Sequence, residues 1–207
     1  MANSIQAVIF DLGMVILDFD HWRGVKRIAL LTDKPAQQLY DFFFDSKLTG
    51  IFESGKVLPE VFFRRVKKNL RLRISYKEFL HCWNDIFFLS EENKKTCAIA
   101  QGLKEKYKLA ILSNVNILHL NYIKKNFPVF DIFDHVFASC QMGAVKPQAS
   151  IYTATLKALQ VKSCESFYVD DRPELIKRAR SLGMHAYVFS GAEQLKKDLA
   201  SCGIIDF

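Results

Sequence analysis

The chain has 207 residues, 50% of them hydrophobic, and carries 29 Lys and Arg against 22 Asp and Glu, a formal charge of +7. That is enough apolar material for one core domain with an insertion. The charge is spread along amphipathic segments such as Arg64, Arg65, Lys67 and Lys68, so it suits anionic small molecules and no nucleic-acid partner is expected.

Cys82, Cys97, Cys140, Cys164 and Cys202 are odd in number, widely spaced and without a CxxC pair, which argues against a disulfide framework or a zinc knuckle and for a reduced, cytoplasmic setting. Neither a basic-then-apolar leader nor a run of ~18 apolar residues occurs, so no signal peptide and no membrane partner are expected.

The first element expected is a strand at Ala-Val-Ile-Phe, residues 7–10, an uncharged run of the kind covered on both faces in a parallel sheet. Asp11 stands at its carboxyl end, where ligands collect in open α/β sheets, and Gly13 allows the next turn to bend tightly. From Asp18 to about Glu91 the pattern is helical. Leu39, Phe42 and Phe43, then Val61, Phe62, Val66 and Leu70, recur at helical spacing, broken by Gly50, Gly55 and Pro59. Ser75 and Glu78 form a capping box opening a helix through Phe79, Trp83 and Phe87. The aromatic stripe reads as packing.

After Ser90 helices and strands alternate. A helix near Glu91 to Lys106 leads to a strand at Lys108 to Leu112 ending in Ser113 and Asn114. A helix at His119 to Lys125 and a strand at Phe133 to Phe137 follow. Next come a loop at Gly143 to Pro147 and a helix started by Pro147. A strand at Ser166 to Val169 ends in Asp170 and Asp171; a helix from Pro173 stops at Gly183, and His185 to Phe189 is the last strand. The fold class is therefore α/β, a Rossmann-like doubly wound parallel sheet with an inserted all-helical segment. The expected division is 1–17 with 85–207 for the core and 18–84 for the helices.

Three strands thus end in polar groups, and Lys146 joins them from a loop. Asp11, Asp170 and Asp171 form a hard oxygen site suited to Mg²⁺, because adjacent carboxylates repel unless a cation neutralises them. Lys146 can hold the Asp11 carboxylate and a phosphate charge together, while Ser113 binds a phosphoryl oxygen. The inventory suits phosphoryl transfer. His119, His135 and His185 read as structural, and Asp18 and Asp20 as helix caps or proton donors.

Asp11-Leu-Gly-Met-Val, Leu112-Ser-Asn114, Gly143-Ala-Val-Lys-Pro147 and Val169-Asp-Asp-Arg172 resemble, in order, the four motifs of the haloacid dehalogenase superfamily. Phe52-Glu-Ser-Gly55 and Trp83-Asn-Asp-Ile-Phe87 further resemble the branch that includes the bacterial α-D-glucose-1-phosphate phosphatase and the phosphatase domain of soluble epoxide hydrolase.

The resemblance implies a Mg²⁺-dependent phosphatase acting on a small phosphorylated metabolite, a sugar phosphate favoured, with residues 18–84 as a helical cap. Asp11 would form an aspartyl-phosphate that water cleaves, with Ser113, Asn114 and Lys146 holding the phosphate. Asp171 would be the main side-chain metal ligand besides Asp11, with Asp170 ligating directly or through water and the Gly13 carbonyl completing the set.

One position departs from the pattern. Phosphatases of this superfamily usually carry an acidic residue two places after the nucleophile, where this chain has Gly13. A good leaving group, another donor such as Asp18, Asp20 or His21, or a catalytically weak phospholigand-binding protein would each account for it. A 2-haloacid dehalogenase is disfavoured by the Asp170-Asp171 pair, which a metal-free anion site does not need.

Overall fold

The computed structural model describes residues 4–44 and 46–206. β1 (Ala7–Phe10) leads through a tight loop to β2 (Asp18–Phe19), and five helices follow: α1 (His21–Ala29), α2 (Ala36–Phe44), α3 (Lys47–Glu53), α4 (Pro59–Leu70) and α5 (Tyr76–Asn84). β3 (Phe87–Phe88) pairs antiparallel with β2, so a short ribbon closes the helical excursion. The chain then alternates: α6 (Glu91–Leu103), β4 (Lys108–Ser113), α7 (Ile117–Asn126), β5 (His135–Ala138), the single turn α8 (Ser139–Met142), α9 (Ala149–Leu159), β6 (Ser166–Asp170), α10 (Pro173–Ser181), β7 (His185–Val188) and α11 (Ala192–Ser201).

Five strands form one parallel sheet in the order β5-β4-β1-β6-β7. β1 is central and wholly buried, because its neighbours cover both edges and helices cover both faces. Side chains alternate across the sheet. Val8 and Phe10 pack with Leu109, Ile111, Phe167 and Val169 beneath α6 and α11, while Ala7 and Ile9 pack with Ala110, Leu112 and Tyr168 beneath α9 and α10. The strand order reverses at β1, and in open α/β sheets the crevice at such a switch point receives the ligand. Asp11 lies there.

The inserted helices bury their own apolar cluster, with Leu39, Phe43, Phe52, Phe62, Phe79 and Trp83 at its centre. Ser75 and Ser90 both close capping boxes, with Glu78 and Asn93 respectively, and Pro59 opens α4 where its missing N–H goes unused. Polar contacts tie the helices together and to the core. Arg27 pairs with Asp85 at 2.5 Å, and the Ser139 hydroxyl donates to Glu53 O at 2.7 Å. Beside the second contact the chain turns at Gly55 with φ +72°, where a Cβ would stand 2.0 Å from the Cys140 carbonyl oxygen.

Several boundaries differ from the sequence reading. The helix of Phe79 and Trp83 ends at Asn84, and Phe87 belongs to β3, where it pairs with Phe19. Pro147 starts no helix: Gln148 is still extended and α9 begins at Ala149. The strand expected from Phe133 starts at His135, because Pro128–Ile132 forms a 3₁₀ turn and the Asp134 carboxylate accepts the Leu109 N–H at 2.9 Å. α11 was not foreseen, although Leu195 and Leu199 carry a helical spacing onto the core. Among the described residues no helix is long and apolar enough to cross a membrane.

Gly55→Ala is expected to destabilise by about 2–4 kcal/mol, since it adds a steric clash to a left-handed backbone. Gly102→Ala, in the last turn of α6 with open space around it, is expected to stabilise by up to about 0.5 kcal/mol. Urea denaturation of the two variants checks both signs.

Candidate active site

Four segments converge at the carboxyl edge of the sheet. Asp11 follows β1 directly, Ser113 ends β4, Asp170 ends β6 with Asp171 after it, and Lys146 comes from the loop between α8 and α9. That loop turns through a cis Lys146–Pro147 peptide bond, and the Gln148 N–H bonds to Val145 O at 2.9 Å. Asn114 clamps it from β4: its Oδ1 accepts the Lys146 N–H at 2.7 Å and its Nδ2 donates to Lys146 O at 2.9 Å. The amide that the family resemblance assigns to phosphate is thus engaged with the lysine's own main chain.

The Lys146 ammonium is the hub. It lies 2.8 Å from Asp11 Oδ1, 2.6 Å from Asp170 Oδ2, 3.0 Å from Leu112 O and 3.1 Å from the Tyr168 hydroxyl. Three N–H donors serve four acceptors, so the ammonium is saturated. Burial works against its charge, and the Asp11 and Asp170 carboxylates outweigh that, so it stays above the usual lysine range. Burial also pushes Asp11 up, with Lys146 opposing and Asp170 adding to the rise.

Asp170 spends both oxygens inside the protein. Oδ2 takes the lysine and a short bond from the Tyr168 hydroxyl, and Oδ1 takes the Arg172 N–H at 3.0 Å. Asp171 is half-buried, and no hydrogen bond or ion pair to another described residue engages its carboxylate. Its affinity for a proton is raised by burial and by Asp170.

One oxygen from each of Asp11, Asp170 and Asp171 can be found within 4.8 Å of the others. Three carboxylates against one ammonium leave the site two negative charges in excess. Hard oxygen donors carrying that excess fit a divalent cation such as Mg²⁺. Asp11 and Asp171 keep oxygens available for it, whereas Asp170 is already engaged.

A cavity of about 260 Å³ opens over this edge. The core lines it with Asp11, Gly13, Ser113, Lys146 and Asp171, and the inserted helices and ribbon add Phe19, His21, Phe44, Glu53, Trp83 and Phe87. The aromatic wall is stacked: His21 lies on Phe44 with centroids 3.6 Å apart, and Phe44 is parallel to Trp83 at 6.0 Å. The Phe19 ring fills the space beside position 13, where a Cβ would meet it at 2.7 Å. The ring is held there by His21 at 4.5 Å and Phe87 at 6.3 Å.

The remaining sequence candidates are placed as follows. Asp20 caps α1 through Trp22 N–H at 2.9 Å, and Asp18 accepts from Asn93 Nδ2 at 3.1 Å; neither lines the cavity. Arg172 lines it while pairing with Glu174 at 2.5 Å. His119 has both nitrogens bonded, Nδ1 to Asn116 Nδ2 and Nε2 to Trp83 O, each at 3.0 Å. An amide N–H can only donate and a carbonyl only accept, so the proton sits on Nε2 and the ring is neutral.

Phe19, Tyr168 and Glu53 are among the cavity and site residues to which the sequence alone gives no role. Phe19 and Tyr168 look like ordinary strand aromatics in the chain. Glu53 has two signals: it lies in the Phe52–Gly55 stretch that carries part of the resemblance, and Gly55 two residues later forces its loop against the core.

The comparisons point to one family. The family described as haloacid dehalogenase-like hydrolase matches residues 83–202, and the chain belongs to it. The chain is 24% identical over 189 residues to D-ribitol-5-phosphate phosphatase of Bacteroides thetaiotaomicron, covering 88% of this chain and 91% of that protein. It is 25% identical over 212 residues to Phosphatase MT3486 of Mycobacterium tuberculosis, covering 98% and 97%. Among solved structures, HAD family enzyme BT-2542 of Bacteroides thetaiotaomicron, in complex with magnesium and inorganic phosphate, superposes with a TM-score of 0.80 at 26% identity. That alignment covers 89% of this chain and 94% of the other.

Two outcomes follow. Burial pushes His119 down to about 3 from an ordinary 6.5, so its stabilising contribution is complete above pH 6.5 and is lost as pH falls toward 3. Between pH 7.5 and 4.5 its share of the lost stability is expected to be about 2–3 kcal/mol, and His119→Gln is expected to remove that part of the slope in urea titrations. Gly13→Asp is expected to destabilise by about 1–3 kcal/mol through the Phe19 ring, a cost that Phe19→Ala relieves in a double-mutant cycle.

Proposed function

We propose that this chain is a Mg²⁺-dependent phosphatase that hydrolyses a small phosphorylated metabolite, a sugar or polyol phosphate, through an aspartyl-phosphate on Asp11. The observation that carries the reading is the cluster at the sheet edge: Asp11, Asp170 and Asp171 around one saturated lysine, beside the Ser113 hydroxyl and facing a small cavity. The named activities of the phosphatase relatives and the magnesium and phosphate held by BT-2542 support it.

In this reading Asp11 and Asp171, with the Gly13 carbonyl and Asp170 at or behind the site, hold Mg²⁺. The ion supplies charge neutralisation at the phosphoryl oxygens. Lys146 fixes the direction of the Asp11 carboxylate, leaving Oδ2 to attack phosphorus. Ser113 binds a phosphoryl oxygen and Asn114 acts by holding the lysine loop. Residues 18–84 serve as the cap, whose aromatic wall excludes water and strengthens every charge interaction beneath it. The cavity suits a small phosphorylated metabolite.

A catalytically weak phospholigand-binding protein is favoured by one feature, the occupation of the acid position by Gly13 and Phe19. The Asp171 carboxylate beside Asp11, engaged by no other described residue, favours chemistry. A dehalogenase attacking carbon would have no use for the excess negative charge around Lys146.

Phosphate release from ribitol 5-phosphate, hexose 6-phosphates and glycosyl phosphates separates these readings. Turnover that needs Mg²⁺, stops with chelator and falls at least about a thousandfold in Asp11→Asn is the expected result. Binding of phosphate with no turnover on any ester would establish the binding protein instead.

A further inference from the structure

If the chain is a phosphatase, the leaving oxygen of an alkyl ester must receive a proton, and no side chain at position 13 can give it. The described groups at the cavity narrow the donor by elimination. Asp11 and Asp171 belong to the phosphoryl site. His119 has both nitrogens committed, and Asp18 and Asp20 lie outside the cavity. His21 is stacked on Phe44 and held neutral by burial, with its pKa pushed down to about 4. Glu53 is what remains.

Glu53 reaches the cavity from the end of α3, opposite the sheet edge. Its main chain is anchored, because the wholly buried Ser139 donates to its carbonyl at 2.7 Å and accepts the Val115 N–H at 3.0 Å. Gly55 then presses the loop onto the Cys140 carbonyl. Its carboxyl makes no hydrogen bond or ion pair to another described residue, unlike Asp170 or Glu174. We propose that Glu53 is the acid–base residue of this site, protonating the leaving oxygen and later deprotonating the attacking water.

The step balances. As Asp11 Oδ2 forms its bond to phosphorus and the phosphorus–oxygen ester bond breaks, the Glu53 proton passes to the departing oxygen, releasing an alcohol and leaving a carboxylate. That carboxylate takes a proton from water as the water oxygen attacks the aspartyl-phosphate. Phosphate leaves, the Asp11 carboxylate returns, and Glu53 is protonated again.

Burial supports this role by pushing Glu53 up to about 7 against the opposing charges of Arg172 and Lys146, so both protonation forms are well populated near neutral pH. The half-buried Cys140 thiol also faces it, and His21, Asp11 and Asp171 line the same cavity.

The test compares an alkyl phosphate such as ribitol 5-phosphate with p-nitrophenyl phosphate, whose leaving group needs no proton, in full-length Glu53→Gln and Glu53→Asp with Mg²⁺. The expected result is a kcat/KM loss of ~10²-fold or more on the alkyl ester in Glu53→Gln, with the kcat/KM of the aryl ester, which reports only the steps up to release of the phenol, within about threefold of the unaltered protein. Glu53→Asp is expected to recover part of the alkyl rate.

Equal losses in kcat/KM on both esters would make Glu53 a structural or binding group and overturn the proposal. So would no loss on either. If the unaltered protein turned over neither ester, the phosphatase reading itself would fail, and that outcome is distinct from the other two.

Discussion

The site depends on one buried ammonium. Lys146 joins Asp11 from β1, Asp170 and Tyr168 from β6 and a carbonyl from β4, so three strands that are distant in the chain are tied at their carboxyl ends by a single group. Removing one partner of such a buried pair typically costs about 3–5 kcal/mol, because the other charge is left unpaired away from water. The lysine therefore contributes to the integrity of the sheet edge as well as to its chemistry. Its loop is in turn fixed by Asn114 through two bonds to the Lys146 main chain.

The second constraint is steric. Phe19 leaves the β2–β3 ribbon to press against Gly13, and the stack His21–Phe44–Trp83 continues the wall across the inserted helices. The space that an acidic side chain would occupy is thus filled by a ring, and the cavity is apolar on that side. Glycine at position 13 and phenylalanine at position 19 are two parts of one packing solution. The unpartnered carboxyl of Glu53 faces the same cavity from α3.

Much of this was legible in the chain. Residues 7–10, 109–112 and 166–169 are charge-free and each is followed by a polar residue, so the strand ends and the convergence of Asp11, Ser113 and Asp170 followed from pattern and topology. The helical excursion was visible in the spacing of Leu39, Phe43, Phe62 and Val66. The errors have physical sources. Phe87 stands four residues after Trp83 and so mimics a helical position, yet its pairing with Phe19 takes it into a ribbon. Pro147 resembles a helix-starting proline but belongs to the turn that presents Lys146. Glu53 lies in the Phe52–Gly55 stretch that carries part of the resemblance, yet neither it nor Tyr168 has a role legible in the chain, because what distinguishes them is proximity: a carboxyl brought over the sheet edge by Ser139 and Gly55, and a strand hydroxyl that happens to meet a lysine.

The central claim is that Asp11 becomes phosphorylated during turnover. The most direct measurement quenches the protein during steady-state hydrolysis of a phosphomonoester with borohydride, which reduces an acyl phosphate to an alcohol, and locates the change by peptide mass spectrometry. The account predicts reduction at the Asp11 carboxyl and at no other acidic residue. Phosphate release proceeding with Asp11 unreduced, or with the label on a different side chain, would contradict it.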